Sequence, residues 1–108
     1  MEQQLIDKVA IVTGAARGLG RAYAEAMTEA GAKVLLADIN DCTETAESIS
    51  SAGGIAISTQ VDISSVESCE AMVALAIKSF GKVDVLINNA ALYGELTGAR
   101  LEDLDEAQ

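Results

Sequence analysis

The chain has 108 residues, half of them apolar, with 3% aromatics and a formal charge of −10 from 7 Lys and Arg against 17 Asp and Glu. That length suits one domain or part of one, and the acidity argues against nucleic acid or an anionic membrane surface as a partner. With no histidine, and with Cys42 and Cys69 outside any CxxC spacing, a zinc site is excluded.

The start, Met1-Glu2-Gln3-Gln4, lacks the basic region and apolar core of a signal peptide. No apolar run reaches the roughly 20 residues of a membrane span, so a cytoplasmic protein with reduced thiols is expected. A first strand is predicted from about Lys8 to Thr13. A helix follows from about Gly18 to Ala30, with Leu19, Ala22, Tyr23, Ala26, Met27 and Ala30 at three–four spacing and Gly31 placed as a C-cap glycine. The second strand covers Lys33 to Asp38. Asp41-Cys42-Thr43-Glu44 resembles a capping box and opens a second helix that ends near Gly53-Gly54.

Ile55 to Val61 is the third strand, and Ser64-Ser65-Val66-Glu67 is a second capping-box pattern. The helix behind it carries Val66, Cys69, Val73, Ala76 and Phe80 on one face and stops at Gly81; Val83 to Ile87 is the fourth strand. Strands alternating with helices predict an α/β fold, a doubly wound parallel sheet of Rossmann type over residues 1–108, with helices on both faces. Leu101 to Gln108 reads as the opening of a further helix with acids near its N-terminus. It carries no stop signal, so the chain is expected to be truncated after the fourth strand and the start of that helix.

Chemistry gathers at the predicted strand ends. Val9 to Thr13 leads into Gly14, Gly18 and Gly20 and then straight into a helix-prone segment. Glycines let the backbone come close, and a helix N-terminus offers unpaired N–H groups, which together suit a phosphate. The spacing is not GxGxxG, since Tyr23 stands at the third position, and a ligand-free glycine turn is the bland alternative. Asp38 closes the second strand 20 residues after Gly18, where a carboxylate can accept from an adenosine ribose and repel a 2′-phosphate. Arg17 could instead pair with such a phosphate or be solvated, and Ile39 supplies no second basic group. Asp62 could accept from an adenine amino group or begin a helix. Asn88-Asn89 could contact the ribose or form a simple turn.

Thr13-Gly14-Ala15-Ala16-Arg17-Gly18-Leu19-Gly20, Asp38, Val61-Asp62-Ile63 and Gly81-Lys82-Val83-Asp84-Val85-Leu86-Ile87-Asn88-Asn89-Ala90-Ala91 together resemble the short-chain dehydrogenase/reductase family, in its N-terminal cofactor-binding part. Ala91 departs from the glycine more usual there. The resemblance implies that the loop through Gly14, Ala16, Arg17, Gly18, Leu19 and Gly20 holds the pyrophosphate of NAD. Asp38, beside Ile39, would hold the adenosine ribose. Asp62 and Ile63 would flank the adenine, Asn89, Ala90 and Ala91 would lie toward the nicotinamide, and Thr13 would brace the turn. The implied parent is an NAD-dependent oxidoreductase moving hydride between nicotinamide and a small-molecule carbonyl or secondary alcohol, as a homo-oligomer, tetramer or dimer. The family's serine and Tyr-x-x-x-Lys are absent: four residues after Tyr23 stands Met27, and four after Tyr93 stands Thr97. No catalytic residue carries over, and the 108 residues alone are expected to be inactive. The alternatives are a non-catalytic nucleotide-binding or regulatory module and an interaction domain that has lost its cofactor.

Overall fold

Parallel pairing of four strands organises the described part of the chain, residues 4–89 of a computed structural model. The elements are β1 (Val9–Thr13), α1 (Gly18–Glu29), β2 (Lys33–Asp38), α2 (Thr43–Ser51), β3 (Ile55–Gln60), α3 (Val66–Phe80) and β4 (Val85–Asn88). The sheet order is β3-β2-β1-β4. Thr13 lies beside Ala37 on one side and Asn88 on the other, while Asp38 pairs with Gln60. The C-terminal ends of all four strands therefore share one edge. The order reverses between β1 and β4, which is where open α/β sheets make a ligand crevice.

β1 is buried at every position, and β2 at every position after Lys33. Alternate residues serve opposite layers. Ala10, Val12, Val34 and Leu36 pack with Ala24 of α1 and Ile49 of α2. Ile11, Leu35 and Ala37 pack with Met72 and Ala76 of α3. Central strands of a parallel sheet covered on both faces read as unbroken apolar runs for this reason. The predicted α/β doubly wound arrangement is the one observed.

The helix faces differ from the expectation. α1 buries Gly20, Ala24 and Thr28, whereas Leu19 is 57% exposed and Ala22, Tyr23 and Ala26 are also exposed. Close approach to the sheet selects a stripe of small residues, and a pattern of larger apolar side chains does not report it. Thr28 is tolerated there because its hydroxyl donates to Ala24 O at 3.1 Å or Glu25 O at 3.0 Å. In α3 Ala76 is buried as expected, joined by Met72, while Val66, at 72% exposure, and Val73 face outward.

The caps also shift. Cys42 is the N-cap of α2 without a side-chain cap bond, and Asp41 Oδ1 instead accepts from Thr43 N at 2.9 Å and Thr43 Oγ1 at 2.6 Å. Ser65, not Ser64, caps α3 by accepting from Ser68 N at 3.1 Å. Ser64 is spent on Asp62, donating its hydroxyl to Oδ1 at 2.6 Å. Strand limits move by one or two residues: β1 opens at Val9, β3 closes at Gln60 and β4 spans Val85–Asn88. Helix and strand ends are the least determined part of any local pattern. Gly31, at φ +106°, follows the Ala30 C-cap of α1, and Gly81, at φ +90°, ends α3. The expected further helix over Leu101 to Gln108 lies outside the described residues, as do Ala90 and Ala91.

Candidate functional site

The loop from β1 to α1 uses its glycines for different reasons. Gly14 and Gly18 stand at φ +69° and +63°, which L side chains rarely adopt. Among the described residues nothing beyond its chain neighbours and its own helix backbone lies within 4 Å of where a Gly18 Cβ would be. At Gly20 the reason is space: a Cβ there would overlap the Gly14 carbonyl and reach 3.0 Å from Asn89 Nδ2. The opening of α1 is thus pressed against the end of β1.

Arg17, in extended conformation, is the N-cap of α1. It makes no side-chain cap, and the first turn contains no acid. The opening amides have no partner inside the helix, and among the described residues no carboxylate accepts from them, so the positive end of α1 is not neutralised there. Arg21, one turn on, is spent: Nε lies 2.8 Å from Glu25 and Nη1 3.5 Å from Glu44. The Glu25 hydrogen bond, ahead of any other influence, raises the Arg21 pKa. Arg17 forms no ion pair among the described residues.

Asp38 is 8% exposed and held at both oxygens. Oδ2 accepts from Ala16 N and Oδ1 from Asn40 N, each at 2.9 Å. Each oxygen keeps a further lone pair for a ligand hydroxyl. Asp62, exposed at the edge, accepts through Oδ1 from Ser64 N at 3.0 Å and from the Ser64 hydroxyl. That hydroxyl contact leads in holding its carboxyl below the usual range. The Asp62 amide donates to Ser68 Oγ at 2.9 Å, which ties the residue to α3.

A cavity of about 260 Å³ gathers Gly14, Arg17, Asp38, Ile39, Asp62 and Ile63. Six of the sequence-predicted residues thus line one hollow at the C-terminal sheet edge. A larger one, about 350 Å³, lies between α1 and α2 among Glu25, Thr28, Ser48 and Gly54. It contains none of the glycine-loop residues, whereas Gly14 and Arg17 line the smaller cavity. Ala16 adjoins the site through Asp38, and Gly18, Leu19 and Gly20 open α1 beside it. Asn89 is buried behind Gly20.

Thr13 braces more than the turn. Its hydroxyl lies 3.3 Å from Ile87 O and 3.1 Å from Asn88 Oδ1, and it accepts from Asn89 N at 2.9 Å. It therefore joins the ends of β1 and β4. Two further residues escape a reading by motif. Thr45, fully buried in α2, donates to Ala15 O at 2.9 Å and approaches Ala16 O at 3.3 Å. Ser68 orders Asp62. The available signal for Thr45 was a β-branched polar residue on the helix face shared with Ile49.

A family model described as short chain dehydrogenase matches residues 8–108. An uncharacterized oxidoreductase of Mycobacterium tuberculosis is 52% identical over 89 residues, covering 81% of this chain and 36% of that protein. L-rhamnose 1-dehydrogenase (NAD(P)(+)) of Azotobacter vinelandii is 43% identical over 94 residues, covering 82% and 37% respectively. Among solved structures, a hydroxysteroid dehydrogenase from Escherichia coli matches with TM-score 0.82 and 34% identity over 97% of this chain and 46% of its own. A short chain dehydrogenase/reductase from Burkholderia phymatum in complex with NAD matches with TM-score 0.74 and 35% identity, covering 77% and 30%. The chain spans between about a third and a half of the length of these proteins.

Proposed function

The chain belongs to the short chain dehydrogenase family, and from that premise we propose that it holds the dinucleotide of an NAD-dependent oxidoreductase acting on a carbonyl or secondary alcohol. The observation that carries the reading is the cavity where Asp38 and Asp62 meet the positive, uncapped end of α1. Among the described residues, open space at Gly18 and opening amides without a carboxylate partner suit a pyrophosphate, with Arg17 beside it.

Asp38 would accept from the adenosine ribose through its remaining lone pairs. Its charge disfavours a 2′-phosphate at the same place, since like charges brought together without water repel strongly. Asp62 would accept from the adenine amino group, and Ile39 and Ile63 offer apolar faces to the ring. Asn89 would lie toward the nicotinamide. Bound NAD supplies the hydride acceptor. These residues bind and orient it, and none of them is assigned the proton transfer. The reading further takes the protein to be cytoplasmic and a homo-oligomer, on the resemblance to its family.

Titration with NADH and NADPH, followed by nicotinamide fluorescence, tests this. NADH should bind at least about tenfold more tightly than NADPH, and Asp38→Asn should cut that preference to within about threefold. Equal affinities in the unaltered chain, or no binding of either, would remove the reading.

A further inference from the structure

The peptide between Ala15 and Ala16 is gripped at both ends. Its carbonyl accepts from the Thr45 hydroxyl at 2.9 Å, and its N–H, on Ala16, donates to Asp38 Oδ2 at 2.9 Å. Thr45, Ala15–Ala16 and Asp38 thus form one chain of hydrogen bonds running from α2 through a single peptide plane to the carboxylate. Members of such a chain polarise and fix one another. The hydroxyl also lies 3.3 Å from Ala16 O, so one proton serves two carbonyls. Ala15 N is anchored to Ala37 O at 3.2 Å, which keeps the loop against β2.

This peptide needs holding. Its plane turns about ψ of Ala15 and φ of Ala16, and both residues lie in the loop between β1 and α1, where no strand or helix ladder fixes them. A turned plane would take the N–H from Asp38 and leave Asn40 N as its carboxylate's one partner among the described residues. An aspartate pinned at both oxygens cannot swing away from the ribose hydroxyls. One released at Oδ2 can rotate about its side-chain bonds and make room for a 2′-phosphate.

We propose that Thr45 is a positioning residue for cofactor choice, fixing Asp38 through the Ala15–Ala16 peptide so that its carboxylate stands firm against a 2′-phosphate. Thr45 is fully buried and acts through the peptide, not on the cofactor. The inference rests on the dinucleotide reading above.

The test is the ratio of NADPH to NADH dissociation constants for the unaltered chain, Thr45→Val and Thr45→Ser, at one salt concentration, with melting temperatures recorded separately. Thr45→Ser keeps the hydroxyl and should hold the ratio within about twofold. Thr45→Val should lower it about fivefold, the scale on which a residue coupled through such a network acts. A role confined to packing would lower the melting temperature of Thr45→Val and leave the ratio alone, and that result overturns the inference while the dinucleotide reading survives. Should Thr45→Val fail to fold, Thr45→Ala is judged by the same ratio. If no hydroxyl-free variant folds, Thr45 is structural and the inference is overturned. No preference for NADH in the unaltered chain removes the dinucleotide reading first, and this inference with it.

Discussion

Gly18 and Gly20 are two residues apart in sequence and have opposite reasons for lacking a side chain. Alanine at Gly18 meets open space but must hold φ +63°, so Gly18→Ala should cost about 1–2 kcal/mol. Alanine at Gly20 drives a methyl group into the Gly14 carbonyl beneath it. Because backbone must move, Gly20→Ala should cost about 3 kcal/mol. Urea unfolding of the two variants checks the order, and a milder effect at Gly20 would contradict the close approach. The glycine spacing was visible in the sequence. The division of labour within it was not, because the contact partner of Gly20 lies across the turn. Cys42 makes the same point. Burial, then the charges of Asp38 and Asp41, pushes its thiol up to about 11, and of these only the adjacent Asp41 is legible in the sequence.

At the scale of elements, capping decides where helices begin. Ser65 supplies the side-chain cap of α3, and Ser68 reaches back to the Asp62 amide. Ser65→Ala should therefore lower stability by about 1 kcal/mol, read as a drop in thermal midpoint. A drop no larger than that of Ser64→Ala would place the cap where the sequence pattern put it. Both capping-box patterns mark the right region and miss the bonding, because neighbouring Ser and Asp side chains compete for the same amides. The misjudged helix faces have a related cause. The spacing of Leu19, Tyr23 and Val73 is truly helical, but periodicity ranks side chains by hydropathy. The α/β layers here select Gly20 and Ala24 for size, and on α3 they keep the expected Ala76 while turning Val66 and Val73 outward.

For the molecule as a whole, charge and pH act together. Asp84 accepts from Val9 N at 2.8 Å and from Lys82 at 3.2 Å, joining the starts of β4 and β1. The Val9 amide leads in lowering its pKa, and Asp41, Asp62 and Glu25 are lowered by their own hydrogen bonds. A carboxylate whose folded pKa lies below its unfolded value adds stability above that unfolded value, and this is lost as pH falls through the folded one. Going from neutral pH toward the pI of 4.1 first relieves repulsion within a chain of charge −10. Below about pH 4 the lost bonds and growing positive charge work in one direction. The melting temperature should be level or slightly rising from pH 7 to 5 and fall steeply below about 4, with Asp84→Asn falling less steeply. A melting temperature still climbing at pH 3 would contradict it. By itself the sequence determined the order of strands and helices, the parallel α/β class and the residues standing at strand ends, because periodicity, glycine chemistry and chain breaks are local. Only the tertiary structure decided which helix faces are buried, which amide each carboxylate holds, and that a threonine from α2 grips the glycine loop. Those depend on where the crossovers lay each helix against the sheet, and residues 30 apart in sequence, such as Ala15 and Thr45, meet only there.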